Sequence, residues 1–227
     1  LDAAALTNAR LGLLVDFTET ADPYGEISQV VRGAAEQMAQ HGAALVEIRI
    51  EGLAELLSNS SVIDYEFTTD IARYLEHAGA PIKSIEEVLA SGQYHEALEG
   101  RYRRSVARAD DKDEYEARLA RRDVIRQLLI ETLDEYELDA LVYPTMRIKP
   151  APIGESQTGS MCRVSAHSGL PAISLPAGFT DDGIPVGIEL LARPGADRQL
   201  VALGFAWEQA ANPRRPPPTT PSLVTSR

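Results

Sequence analysis

The sequence predicts a layered α/β fold, and three features point to it. A strand–helix–strand unit fills residues 1–50, a long charge-rich helical stretch follows, and a hairpin-like strand pair leads into a final helix. Residues 10–16, Arg-Leu-Gly-Leu-Leu-Val-Asp, form a short apolar run bounded by polar residues and predict a buried strand. From Gly25 to Gln40 the apolar positions Ile27, Val30, Val31, Ala34, Ala35 and Met38 recur with helical spacing, and Gly42 supplies a C-terminal cap. Residues 44–50 then alternate, with Leu45, Glu47 and Arg49 on a wet face, which predicts a second strand.

Residues 51–137 read as helical, with breaks near Gly79-Ala80-Pro81, at Ser91-Gly92 and at Gly100. Ser84 with Glu87 three residues later has the form of a capping box. Glu114 and Arg118 stand four apart in the favourable order, on what reads as a solvated helix face. Residues 138–143 predict a third strand, closed off by Pro144, Pro150 and Pro152. A polar loop at 154–160 precedes a short helix, 161–168, ended by Gly169. Residues 172–175 predict a strand stopped by Pro176, the turn Asp181-Asp182-Gly183 follows, and 186–191 returns as its partner. A last helix covers 197–210, and the Pro-rich residues 212–227 predict an extended tail.

Composition excludes several functions. Of 227 residues, 34 are acidic and 22 basic, a formal charge of −12 that repels phosphate backbones and anionic lipid. Nucleic acid and membrane are therefore not expected partners. No apolar run reaches the roughly 18–20 residues of a membrane span, and Leu1-Asp2-Ala3 opens no signal peptide. The chain starts on Leu1 rather than Met, so residues are expected upstream. The one cysteine, Cys162, can form no internal disulfide and fits a reducing, cytoplasmic setting.

Catalytic motifs are scarce. Residues 16–23 carry neither GxGxxG nor a P-loop, so no nucleotide cofactor is expected. His41, His77, His95 and His167 lie far apart, and His95-Glu96-Ala97-Leu98-Glu99 lacks the second imidazole of HExxH, so no metal site is expected. There is no GxSxG, and no serine has a lysine three residues on. Ser165 and His167 are two apart and fall on different helix faces. Only three lysines exist, Lys83, Lys112 and Lys149, none in a Gly/Ser-rich context. No catalytic residue is assigned. The run from Gly154 to Gly178 is the candidate ligand wall, a plain connector being the alternative.

Within that run, Ser165-Ala166-His167-Ser168-Gly169-Leu170-Pro171-Ala172-Ile173-Ser174-Leu175-Pro176-Ala177-Gly178-Phe179 resembles the late conserved block of amidase signature enzymes. Gly183-Ile184-Pro185-Val186-Gly187-Ile188-Glu189-Leu190-Leu191 follows at the expected distance. Residues 9–14, 66–75, 81–85, 138–145, 151–152, 196–200 and 205–209 add weaker matches, extending the resemblance to about residue 216. The resemblance implies part of a three-layer α/β/α sandwich with a mixed central sheet, covering 1–211, with 51–137 as a helical insert. It implies hydrolysis of small linear amides by a serine relayed through a cis-serine and a lysine, all upstream of this chain. It places the substrate-binding positions at Ser156, Gly159, Ser160 and Arg163, with Tyr143 and Thr145 facing the same pocket. Members that bind an amino-acid substrate carry a carboxylate near Gly159, so glycine here disfavours glutamine. The implied partners are the upstream half of the same enzyme and a small amide, without any cofactor. Apolar runs at 11–15, 141–142 and 173–175 read as strands buried on both faces, and an unpaired sheet edge favours self-association into a homo-oligomer. The rival readings are the A component of an amidotransferase and a non-catalytic α/β domain that binds a ligand or partner.

Overall fold

The computed structural model describes residues 1–217. The strands are β1 (Arg10–Leu14), β2 (Ala44–Ile48), β3 (Ala140–Pro144), β4 (Ala172–Phe179) and β5 (Pro185–Leu191). The α-helices are α1 (Gly25–Gln40), α2 (Leu53–Ser58), α3 (Ile63–His77), α4 (Ile85–Ser91), α5 (Glu99–Arg108), α6 (Lys112–Glu135), α7 (Arg163–Ser168) and α8 (Asp197–Ala211). They form two compact units, Gly52–Gln127 and the remainder of the described residues.

The larger unit is built on one mixed sheet of order β2-β1-β3-β5-β4. β1 runs parallel to β2 and β3, and β5 runs antiparallel to β3 and β4. Strand alternation assigns the two faces. Leu11, Leu13, Val142, Ile188 and Leu190 join the main core with Ile27, Val31 and Met38 of α1 and Leu200, Leu203 and Trp207 of α8. The spacing of those α1 residues produces the buried stripe predicted from sequence. Gly42 at φ 105° ends the helix against Thr7, where a side chain would meet backbone at 3.1 Å.

The opposite face is set close at Gly12, where an added Cβ would lie 2.5 Å from Leu138 Cδ1 and 3.2 Å from Leu141 Cδ2. Arg193, just beyond β5, caps the last turns of α6. It donates to the carbonyls of Leu133 (2.6 Å) and Leu138 (2.5 Å) and to Asp134 (2.7 Å). The Leu133 carbonyl also accepts the Leu138 N–H at 2.8 Å, so the guanidinium reinforces a turn that the backbone already closes.

Two strand expectations need correction. β4 does not stop at Pro176; it continues to Phe179 through a register shift between Pro176 and Gly178. Among the described residues β4 pairs only with β5, and an edge strand tolerates a residue without N–H. The shift leaves the Pro176 carbonyl to accept from Trp207 Nε1 at 2.8 Å. For the same reason 173–175 is not buried on both faces: Ser174 is exposed and Leu175 buried. In β2 the predicted alternation holds from Glu47 onward, with Glu47 and Arg49 exposed and Ile48 and Ile50 buried, while at its start Leu45 packs against the core and Ala44 is exposed.

The second unit, Gly52–Gln127, is helical. Breaks fall where Gly79 and Gly92 adopt φ 64° and 65°. Ser84 Oγ accepts from the Glu87 N–H, but Glu87 accepts from the Lys83 N–H rather than from Ser84, so the capping box is offset by one residue. Arg118 pairs with Glu114 at 2.9 Å, donates to the Tyr65 hydroxyl at 3.0 Å and stacks 5.2 Å from that ring. That side chain is largely buried and does more than decorate a solvated face.

Arg193→Ala removes three charge-assisted bonds at the turn between α6 and β3. Urea denaturation of this variant is expected to show a loss of about 2–3 kcal/mol, on the scale of hydrogen bonds from a charged donor.

Candidate functional site

The site grows from the end of β3. Tyr143 is fully buried on the face opposite the α1–α8 core, in register with Glu189 of β5, which in turn faces Ser174 of β4. Thr145 follows two residues after Tyr143 and lies on the same face. Its hydroxyl is 2.8 Å from Ser174 Oγ, and its N–H donates to the Gly187 carbonyl at 3.0 Å. Gly187 makes this pair fit, since a Cβ there would stand 2.7 Å from Thr145 Oγ1.

The polar centre of the row is Glu189. Its Oε1 accepts from Tyr143 Oη at 3.1 Å and from Ser165 Oγ of α7 at 3.3 Å. Burial pushes the Glu189 carboxyl above its ordinary value, with the two hydroxyl donors pulling the other way. Burial, then the neighbouring Glu189 charge, pushes the Tyr143 phenol well above its usual range. The tyrosine is a neutral donor in this setting.

Beyond Thr145 the chain turns out and back. Arg147 N–H donates to the Gly159 carbonyl at 2.8 Å, Met146 bridges Ser160, and Met161 N–H returns to the Thr145 carbonyl at 3.1 Å. Gly159 and Ser160 are thereby fixed beside Thr145. Gly159 has φ 80°, and a Cβ would meet Ile148 Cγ1 at 2.8 Å, so glycine is a backbone requirement at this position. Ser160 Oγ accepts from the Cys162 N–H at 3.4 Å, and Arg163 is exposed at the start of α7. Ser156 lies apart, beside a shallow cleft bordered by Glu26, Lys149 and Pro152.

The structure thus gathers Tyr143, Thr145, Gly159 and Ser160, with Arg163 at the rim, and leaves Ser156 outside the cluster. Sequence reading misses Glu189, Ser174 and Gly187. The one available signal is an acidic residue within the apolar run Ile188-Glu189-Leu190-Leu191. Spacing weighs Ser165 only against His167, whereas its partner comes from a separate strand. A groove of about 850 Å³ continues along β4 and β5 from Ser174 and Gly187 to Phe179, closed on one side by Arg214–Pro217. Arg215 stacks 4.1 Å from the Phe179 ring, so this much of the tail contacts the sheet; its remainder, 218–227, lies outside the described residues.

No lysine of this chain is poised as a base. Lys149 bonds Glu26 at 2.6 Å and Asp182 at 3.0 Å, and both acids hold its ammonium more firmly charged than usual. Lys83 and Lys112 are exposed. Among the described residues no three His, Cys, Asp or Glu side chains converge as a metal site.

The five-stranded mixed sheet with its flanking helices defines an α/β protein whose polar groups gather on one sheet face. The family model described as Amidase matches residues 2–201, and the chain belongs to this amidase signature family. It is 29% identical over 234 residues to an indoleacetamide hydrolase of Agrobacterium vitis, covering 91% of this chain and 48% of that protein. It is 27% identical over 230 residues to the A component of a glutamyl-tRNA(Gln) amidotransferase of Prochlorococcus marinus, covering 91% of this chain and 46% of that protein. The solved native peptide amidase from Stenotrophomonas maltophilia aligns with a TM-score of 0.76 and 26% identity over 95% of this chain and 45% of that one. The chain spans about half the length of the curated relatives it matches.

Because the Glu189 carboxyl is raised in the folded state, its contribution to stability is fully present below the ordinary value of 4.5 and is lost as pH rises through the folded value. Glu189→Gln cannot ionise. Thermal melts from pH 4 to pH 8 are expected to show the variant gaining on the wild type as pH rises. Parallel curves across that range would contradict the assignment.

Proposed function

We propose that the chain forms the C-terminal portion of an amidase that hydrolyses small linear carboxamides to acid and ammonia or amine. The catalytic serine, cis-serine and lysine lie in an upstream half of the same enzyme, which is its partner. The observation that carries this reading is the family match over residues 2–201 in a chain covering under half of its curated relatives. The lysines support it. A lysine relay needs a neutral amine obtained by desolvation, whereas Lys149 is held charged by two carboxylates.

In the proposed reaction a serine Oγ attacks the amide carbon, the C–N bond breaks as a proton reaches nitrogen, and water then releases the acid from the acyl-enzyme. This chain contributes a pocket wall from Tyr143, Thr145, Gly159, Ser160 and Arg163, with Ser156 further out along the loop. It requires no cofactor. The net charge of −12 argues against nucleic acid and membrane surfaces as partners, and among the described residues no helix is long and apolar enough to cross a membrane. We place the enzyme in the cytoplasm, self-associating through unpaired strand edges. Gly159 favours the hydrolase over the amidotransferase reading, because its φ and the nearby Ile148 leave no room for a carboxylate side chain.

Two experiments test this. The chain alone, assayed against aryl and aliphatic amides, is expected to show no turnover above background, and addition of the upstream half is expected to restore it. Turnover by the isolated chain that disappears on replacing one of its own serines would refute the assignment. In the complete enzyme, Arg163→Ala is expected to change kcat/KM at least fivefold more for anionic or polar amides than for neutral aliphatic ones, about 1 kcal/mol of differential binding. An equal effect on all substrates would show the arginine to be only solvated.

A further inference from the structure

Glu189 is the one carboxylate among the buried polar residues described, with 7% of its surface exposed, and its two hydrogen-bond partners are hydroxyls rather than cations. A buried acid without a cation costs stability, so its hydrogen bonds decide what it does. Both go to hydroxyls on other elements, Tyr143 on β3 and Ser165 on α7. The first lies within the sheet. The second joins the middle of α7 to the sheet face, beside the fully buried Val164. A backbone bond, Met161 N–H to the Thr145 carbonyl, attaches the same segment one residue before Cys162. Ser165 has a single hydroxyl hydrogen and a competing acceptor, the Cys162 carbonyl at 3.3 Å within its own turn. When it donates there, α7 loses this hydrogen bond to the sheet. Tyr143 brings its own proton to the same Glu189 oxygen, and its hydroxyl oxygen is a second alternative acceptor for Ser165.

We infer that Glu189 is a positioning residue: through Ser165 it holds α7 against the β3–β5 sheet and so fixes the segment from Ser160 to Arg163 that borders the site. This rests on the proposed pocket wall, since the segment matters to catalysis only if it faces substrate. Glu189 itself touches no reacting atom. Ser165 lies two residues after Arg163 on a helix of less than two turns, so a shift of α7 moves Arg163 with it.

Hydrogen exchange of α7 tests the inference without relying on activity. The Ala166 and Gly169 amides are bonded to the carbonyls of Cys162 and Ser165 at 2.9 and 2.8 Å, and their exchange reports the order of the helix. In this chain Ser165→Ala and Glu189→Ala are expected to speed exchange over 161–169 at least fivefold, with Glu189→Gln close to wild type because its amide oxygen accepts the same bonds. Alanine favours helix over serine, so faster exchange in Ser165→Ala cannot arise from local propensity. Should Glu189→Ala unfold the chain, the Ser165→Ala and Glu189→Gln pair still decides. In the complete enzyme the same Ser165→Ala is expected to raise KM several-fold on the substrates that Arg163→Ala affects, with kcat within twofold. Unchanged exchange in Ser165→Ala, or exchange as fast in Glu189→Gln as in Ser165→Ala, overturns the inference. Faster exchange with no change in KM, beside an inert Arg163→Ala, upholds the clamp and sinks the pocket-wall reading instead.

Discussion

The register in which β5 lies between β3 and β4 is the constraint on which this molecule depends. Tyr143 stands opposite Glu189, and Glu189 opposite Ser174. Strand residues alternate faces, so a slip of one residue would send Glu189 into the core with Leu200, Leu203 and Trp207. The same slip would carry Ile188 and Leu190 out of that core. Burial of the aliphatic residues and placement of the carboxylate are therefore one decision, and the apolar contacts that stabilise the sheet also assemble the polar row.

Around this row the structure ties down an otherwise irregular segment. The stretch between β3 and α7 would be expected to wander, but backbone pairing at Arg147–Gly159 and Thr145–Met161 closes its base. Side chains hold its outer part. The Arg147 guanidinium stacks 4.0 Å from the Tyr24 ring and pairs with Glu19, while Lys149 spans Glu26 and Asp182. The lysine pairs are partly exposed and screened, so they steer the loop more than they stabilise the fold. The arginine stack is largely buried and gives the more durable anchor.

The polar groups of the site are held by one another and by the backbone around them. The hydroxyls of Tyr143, Ser165, Thr145 and Ser174 are paired with one another or with Glu189, which holds them in place on the sheet face. Gly187 and Gly159 each make room for a close contact: one admits the Thr145–Ser174 pair, the other lets the loop close on Ile148. A residue with a side chain at either position would alter the shape of the site before it altered its chemistry.

Much of the fold was legible in the sequence because it is written in local patterns. The stripe of α1, the caps at Gly42, Gly92 and Gly169, and the helix–strand order each depend on residues close in sequence. The block from Ser165 to Leu191 was specific enough to suggest the family that the comparison establishes. What the tertiary structure alone decided was partnership. Whether Pro176 ended a strand depended on β4 lying at an edge, where a missing N–H leaves no partner unsatisfied. Whether Ser165 had a chemical neighbour depended on Glu189, 24 residues away, and Tyr143 reached the same carboxylate across 46 residues. Spacing along one element cannot reveal such pairs, because they form only when packing brings separate strands and a helix onto one face of the sheet.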